Sequence, residues 1–146
     1  MRSRQHYCLA IALSAFFSAA LWSVGAQSDE SSVGSRSATV DGIKLHYLTA
    51  GRGPTVILLH GYTQTSRMWK PIIPLLAKKF AVVGPDLPGI GESDIPRDGL
   101  DMKSAGIRIH SLAKSLGVDK ASVVGHDIGL MVHTPMPHNS PPTLKN

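Results

Sequence analysis

Gly125-His126-Asp127-Ile128-Gly129 places a carboxylate between two glycines directly after the apolar run Ala121-Ser122-Val123-Val124. The pattern is that of the G-x-S-x-G strand-to-helix turn with aspartate in the serine position. The small residues at 125 and 129 let the chain reverse sharply, and the central side chain is then presented at the end of a sheet. An aspartate there can attack an electrophilic carbon without a general base, because its ordinary pKa of about 3.9 leaves it ionised at neutral pH. Two other stretches carry side chains capable of chemistry, and each follows an apolar run: His60-Gly61-Tyr62-Thr63 and Asp86-Leu87-Pro88-Gly89-Ile90-Gly91-Glu92-Ser93. Alone the pentapeptide says little, since Gly-His-Asp is also an ordinary turn composition. What surrounds it decides.

The elements that must position these motifs can be read in order. Residues 27–37 are polar and Ser-rich and are expected to form a flexible linker. Ala38-Thr39-Val40 and Ile43 to Leu48 flank Asp41-Gly42, a favoured type I′ hairpin turn. After the Gly51-Arg52-Gly53-Pro54 turn, the unbroken apolar run from Thr55 to His60 suits a strand covered on both faces. Trp69, Ile72, Ile73 and Leu76 share one face of a helical stretch, with Pro71 and Pro74 close enough to its start to be tolerated. Phe80 to Pro85 is the next strand. Asp101 is placed to cap a helix whose Ala105, Ile109, Leu112, Ala113 and Leu116 form one stripe, and Gly117 is placed to end it. The sequence predicts an α/β fold: an antiparallel hairpin followed by parallel β-α-β-α-β with right-handed crossovers. All three motifs then fall at the ends of successive parallel strands, where open α/β sheets place their ligands.

In order and spacing the three motifs resemble the α/β-hydrolase fold family, and the aspartate at 127 points to its epoxide hydrolase and haloalkane dehalogenase branch. The resemblance covers residues 38–132. It implies that Asp127 is the nucleophile, attacking the carbon of an epoxide or of a carbon-halogen bond to form an ester that a histidine-activated water then hydrolyses. It also implies an oxyanion hole made by the backbone N–H groups of Tyr62 and Ile128. His60, Gly61, Gly125, His126 and Gly129 support the motifs. Two departures narrow the branch: Thr63 stands where many members have proline, and Ile128 where the dehalogenases have tryptophan to hold the halide. Epoxide hydrolysis is therefore the leading expectation, with a haloalkane dehalogenase-type hydrolase as the alternative. A serine esterase fails because position 127 offers no hydroxyl.

Other readings of the same side chains are structural. At a strand end His60 is expected to be a hydrogen-bonding residue and His126 to shape the turn. Asp86 is expected to organise its loop by accepting backbone N–H bonds around Pro88-Gly89. Trp69, Ile72 and Leu76 are assigned to the core, and His46 and His110 to the surface.

Composition bounds the rest. The chain has 146 residues, 42% hydrophobic and 17% charged, with a formal net charge of +5, which suits one small globular domain. Its Lys and Arg residues are scattered, without a basic stripe or interleaved aromatics, which argues against nucleic acid as a partner. No spacing of the kind a zinc or calcium site needs is present, and no cofactor is implied. Arg2 and Arg4 precede an apolar run from Tyr7 to Trp22, with Val24 and Ala26 at the small-residue positions before Gln27, so residues 1–26 read as a signal peptide of an exported protein. The alternative is an uncleaved anchor. Cleavage would remove Cys8, the single cysteine, and leave no stable membrane span.

The four prolines of residues 133–146 break the pattern where the turn at Asp127 calls for a helix. The family's catalytic histidine, supporting acid, cap tyrosines and later strands would all follow the elbow. The reading from sequence is therefore the N-terminal half of an α/β-hydrolase fold, with cap and C-terminal half missing, as from a frameshift near Met131 to Thr134. Such a chain is expected to be inactive in turnover. The competing reading from another class is a non-catalytic fragment acting as a binding module through an exposed strand edge. Substrate and oligomeric state are not given by the sequence.

Overall fold

The computed structural model describes residues 32–132. The N-terminal run read as a signal peptide and the proline-rich tail lie outside the described residues. Strand β1 (Gly34–Val40) and strand β2 (Ile43–Ala50) form the expected antiparallel hairpin. Its turn residues Asp41 and Gly42 have φ of 49° and 78°, the pair of positive angles that a type I′ turn requires.

β1 begins four residues before the expected boundary, which corrects the reading of residues 34–37 as linker. Gly34 pairs with Thr49 and Ser37 with His46. An edge strand facing solvent needs no apolar side chains at its outer positions, and its pairing to β2 satisfies the backbone of a polar, Ser-rich segment.

β3 (Thr55–Leu59), β4 (Ala81–Pro85) and β5 (Ala121–Gly125) complete a five-stranded sheet in the order β1-β2-β4-β3-β5. β3 runs parallel to β4 and β5, and β2 antiparallel to β4. β3 lies inside the sheet, and its Val56, Ile57, Leu58 and Leu59 are all buried, as the unbroken apolar run requires.

Alternation along the strands feeds two cores, one on each face of the sheet. Leu45, Tyr47, Ile57, Leu59 and Val83 pack with Ala105, Ile109, Leu112 and Ala113 of helix α2 (Met102–Ser115). Leu48, Val56, Leu58 and Val82 pack with Ile73 and Ala77 on the other side. Burial of Ile109 or Leu112 contributes about 1.5–3 kcal/mol each. α2 starts where Asp101 accepts from the backbone N–H of Ser104 at 3.0 Å and gives way to Gly117 at φ 74°.

The other helical stretch differs from expectation. The segment is split into a 3-10 turn, Ser66–Trp69, and one short turn of helix α1, Ile73–Leu76. Pro71 and Pro74 remove two backbone donors within four residues, so a continuous i→i−4 ladder cannot form. Ile73 is the residue driven fully into the core, whereas Ile72, assigned to the core from sequence, is 38% exposed. Trp69 and Leu76 are partly buried against the second core.

β5 pairs with β3 on one side and is the last strand of the sheet among the described residues. Val123 and Val124 stand exposed on it. Amides of residues 121–125 that do not face β3 are expected to exchange with solvent orders of magnitude faster than those of β3. Protection of the whole of β5 equal to that of β3 would mean that this edge is covered.

Candidate active site

The three motifs meet at the carboxyl ends of β3, β4 and β5. β5 ends at Gly125, His126 continues the ladder by donating its N–H to the Leu59 carbonyl at 3.0 Å, and the chain then turns. Asp127 adopts φ 50°, in the left-handed region, and heads a 3-10 turn, Asp127–Leu130. For a residue with a side chain that conformation costs about 1–3 kcal/mol and persists only where its surroundings impose it. The imposition is close packing of backbone. A Cβ on Gly125 would come within 2.6 Å of the Gly129 carbonyl carbon, and one on Gly129 within 2.6 Å of the Leu59 carbonyl oxygen. Gly125 therefore lets the turn fold back on itself, and Gly129 seats it against the end of β3.

The loop after β3 reaches the carboxylate. Gly61 is tied by Gln64, which donates its backbone N–H to the Gly61 carbonyl and accepts the Gly61 N–H on its side chain, both at 3.2 Å. Thr63, at φ 57°, completes the bend. The geometry aims the Tyr62 N–H at Asp127, whose Oδ2 accepts it at 2.8 Å, while the Tyr62 side chain stays exposed. Ile128 follows in the 3-10 turn, accepts from Met131 N–H at 2.9 Å and packs its side chain on the α2-side core. His126 and Asp127 are exposed. Tyr62, Asp127 and Ile128 are thus brought to one place.

His60 is fully buried and structural. Its Nε2 accepts from Leu87 N–H at 3.0 Å, so Nδ1 carries the proton and donates to the Gly61 carbonyl at 2.9 Å. Asp86, 2% exposed, organises its loop. Oδ1 accepts from Ser66 N–H at 2.6 Å, and Oδ2 from Glu92 N–H at 3.0 Å and from His46 Nδ1 at 2.8 Å. Burial pushes the Asp86 carboxyl up, but the backbone bonds from Glu92 and Ser66 and the bond with His46 outweigh it and hold the group below its ordinary value. Gly91, at φ 62°, has no room for a Cβ against this carboxylate.

Two histidines assigned to the surface are placed otherwise. His46 is 3% exposed, and besides Asp86 it meets Ser35 Oγ at 2.8 Å through Nε2. Its backbone is fixed as well: the N–H donates to Ser93 Oγ at 2.9 Å and the carbonyl accepts from Asp86 N–H at 2.9 Å. His110 is partly buried on α2 and its Nδ1 is enclosed. A signal for His46 was present: Leu48 and Ala50 share its face of β2, so that face is covered too.

Residues 54–132 match the alpha/beta hydrolase fold family. The chain belongs to that family. Over 92 residues this alpha/beta hydrolase is 42% identical to a soluble epoxide hydrolase of a Corynebacterium species, a match covering 63% of this chain and 32% of the relative. It is 35% identical over 95 residues to a fluoroacetate dehalogenase of a Burkholderia species, covering 62% and 31%. The ligand-free structure of the epoxide hydrolase CorEH superposes with a TM-score of 0.68 at 40% identity, over 69% of this chain and 36% of that one. The chain spans about a third of the length of the curated relatives it matches.

Proposed function

We propose that this alpha/beta hydrolase is epoxide hydrolase-like and acts on a small molecule, with Asp127 as nucleophile. The reading is carried by one observation: Asp127 is held in a left-handed conformation at a strand end with Oδ2 on the Tyr62 N–H, leaving Oδ1 to attack. Oδ1 forms a bond to an epoxide carbon, the ring C–O bond breaks, and the released oxygen takes up a proton to give a hydroxyalkyl ester. Water then adds to the ester carbonyl, and the backbone N–H groups of Tyr62 and Ile128 take up the negative charge that develops there, a role supported for Tyr62 by its bond to Asp127 Oδ2. Release of the carboxylate gives a diol. The similarity to a fluoroacetate dehalogenase supports a second reading, in which the same carboxylate displaces a halide; Ile128 offers that leaving group no hydrogen bond from its side chain. With residues 1–26 read as a signal peptide, the site of action is outside the cytoplasm.

Hydrolysis of the ester needs a histidine to activate water. His60 has both ring nitrogens engaged, His46 is bonded to Asp86 and Ser35 on β2, and the His126 ring lies against Gly61. If these histidines of the described residues stand for the site, incubation of the protein with a panel of excess epoxides is expected to consume at most about one epoxide per molecule. Sustained turnover abolished by Asp127→Asn would show that a water-activating base is already in place. Consumption of no epoxide, with Asp127 unmodified, would count against the nucleophile itself.

A further inference from the structure

We propose that Ser35 is a second nucleophile of this protein, activated by His46 and Asp86 and acylated by small activated carboxylic or phosphonic esters. The three side chains form a relay outside the Asp127 site. Asp86 Oδ2 stands 2.8 Å from His46 Nδ1, and His46 Nε2 stands 2.8 Å from Ser35 Oγ. An ionised carboxylate only accepts, so Nδ1 carries the ring proton in the neutral imidazole. Nε2 then presents its lone pair to the Ser35 hydroxyl. This is the arrangement in which a serine is deprotonated by a histidine that a buried carboxylate orients.

The surroundings fix it in place. Asp86 cannot turn away, because Ser66 and Glu92 N–H groups hold its two oxygens. His46 is held through its backbone by Ser93 and Asp86. Both are almost fully buried, whereas Ser35 is exposed on the edge strand β1, so the relay runs from the interior to a nucleophile that solvent can reach. Glu92 Oε2 lies 4.0 Å from His46 Nε2 and favours the imidazolium that forms when the proton arrives, while Arg67, 2.8 Å from the other Glu92 oxygen, tempers that charge. β4 and β3 separate β2 from β5, so at least three strand spacings of about 4.8 Å each keep His46 on β2 and Ser35 on β1 apart from the β5 end that carries Asp127, and Asp86 at the end of β4 faces the His46 side.

In the acylation step Ser35 Oγ bonds to the carbonyl carbon or phosphorus as its proton passes to His46 Nε2. The bond to the leaving oxygen or fluoride breaks, and that group takes the proton from Nε2. Water repeats the transfer in reverse to release the acid from an acyl-serine. The open edge strand suits small, reactive esters.

The full chain should be treated with a fluorophosphonate probe and the modified residue located by peptide mass spectrometry. Modification at Ser35 is expected, lost in Ser35→Ala and retained in Asp127→Asn. No modification, or modification that persists in Ser35→Ala, overturns the proposal. A second comparison separates activation from mere exposure: Ser35→Cys against Thr39→Cys, both exposed on β1, alkylated with iodoacetamide and read peptide by peptide so that Cys8 does not contribute. The thiol at 35 is expected to react about 100-fold faster, the scale of a positioned base. Equal rates would show that His46 does not activate this position.

Discussion

Replacing Asp86 with alanine is expected to lower the stability of the fold by about 3 kcal/mol or more, read from the urea denaturation midpoint. The carboxylate joins β2, through His46, to the 3-10 turn at Ser66 and the loop at Glu92. Its removal leaves the Ser66 N–H, the Glu92 N–H and His46 Nδ1 facing a small cavity, and each unsatisfied buried donor costs about 1–3 kcal/mol. Asp86→Asn should also destabilise, because an amide accepts at one end only and turns an N–H toward a donor at the other. Acid should act through the same group. Its carboxyl is held below the ordinary value of 3.8, so the stability it contributes is fully present above that value and is lost as pH falls below it, through the lowered one. A loss under about 1 kcal/mol for Asp86→Ala would show that these contacts do not hold the fold together.

Why some of this was legible in the sequence and some was not follows from the range of the interactions. Asp41-Gly42 dictates its turn through local backbone angles, Asp101 caps through the residue three positions on, and the run from Thr55 to Leu59 reports its burial directly; all three stand as read. The elbow was legible because Gly125, Asp127 and Gly129 lie within one turn. What failed was non-local. The Ser-rich stretch from Gly34 looked like linker because its pairing partners lie on β2, and polar composition cannot report a backbone ladder. His46 looked exposed because alternation with Ile43, Leu45 and Tyr47 suggested a solvent face, yet the loop from Asp86 to Asp94 covers that side, with Asp94 N–H donating to the Lys44 carbonyl at 2.9 Å. The helical stretch expected through Trp69 and Leu76 is instead split in two for a local reason. A 3.6-residue apolar spacing does not outweigh two prolines that interrupt the ladder it needs.

Asp127→Asn is expected to suppress ester formation by about three orders of magnitude or more, because an amide oxygen is a poor nucleophile while the shape of the side chain hardly changes. The fold should be unaffected in that variant. Asp127 is exposed, and its left-handed backbone, which asparagine tolerates as well as aspartate does, is imposed by the packing of Gly125 and Gly129. The Tyr62 N–H keeps a carbonyl oxygen to donate to. Equal unfolding midpoints for the two proteins would therefore assign the lost reactivity to the carboxylate. The most direct test of the account is to incubate the full chain with a reactive epoxide, quench in acid, and measure the mass of the peptide that contains Asp127. An increase equal to one epoxide, located on Asp127 and absent from the Asp127→Asn protein, is the predicted result; an adduct that forms equally in Asp127→Asn, or none on Asp127, would contradict it.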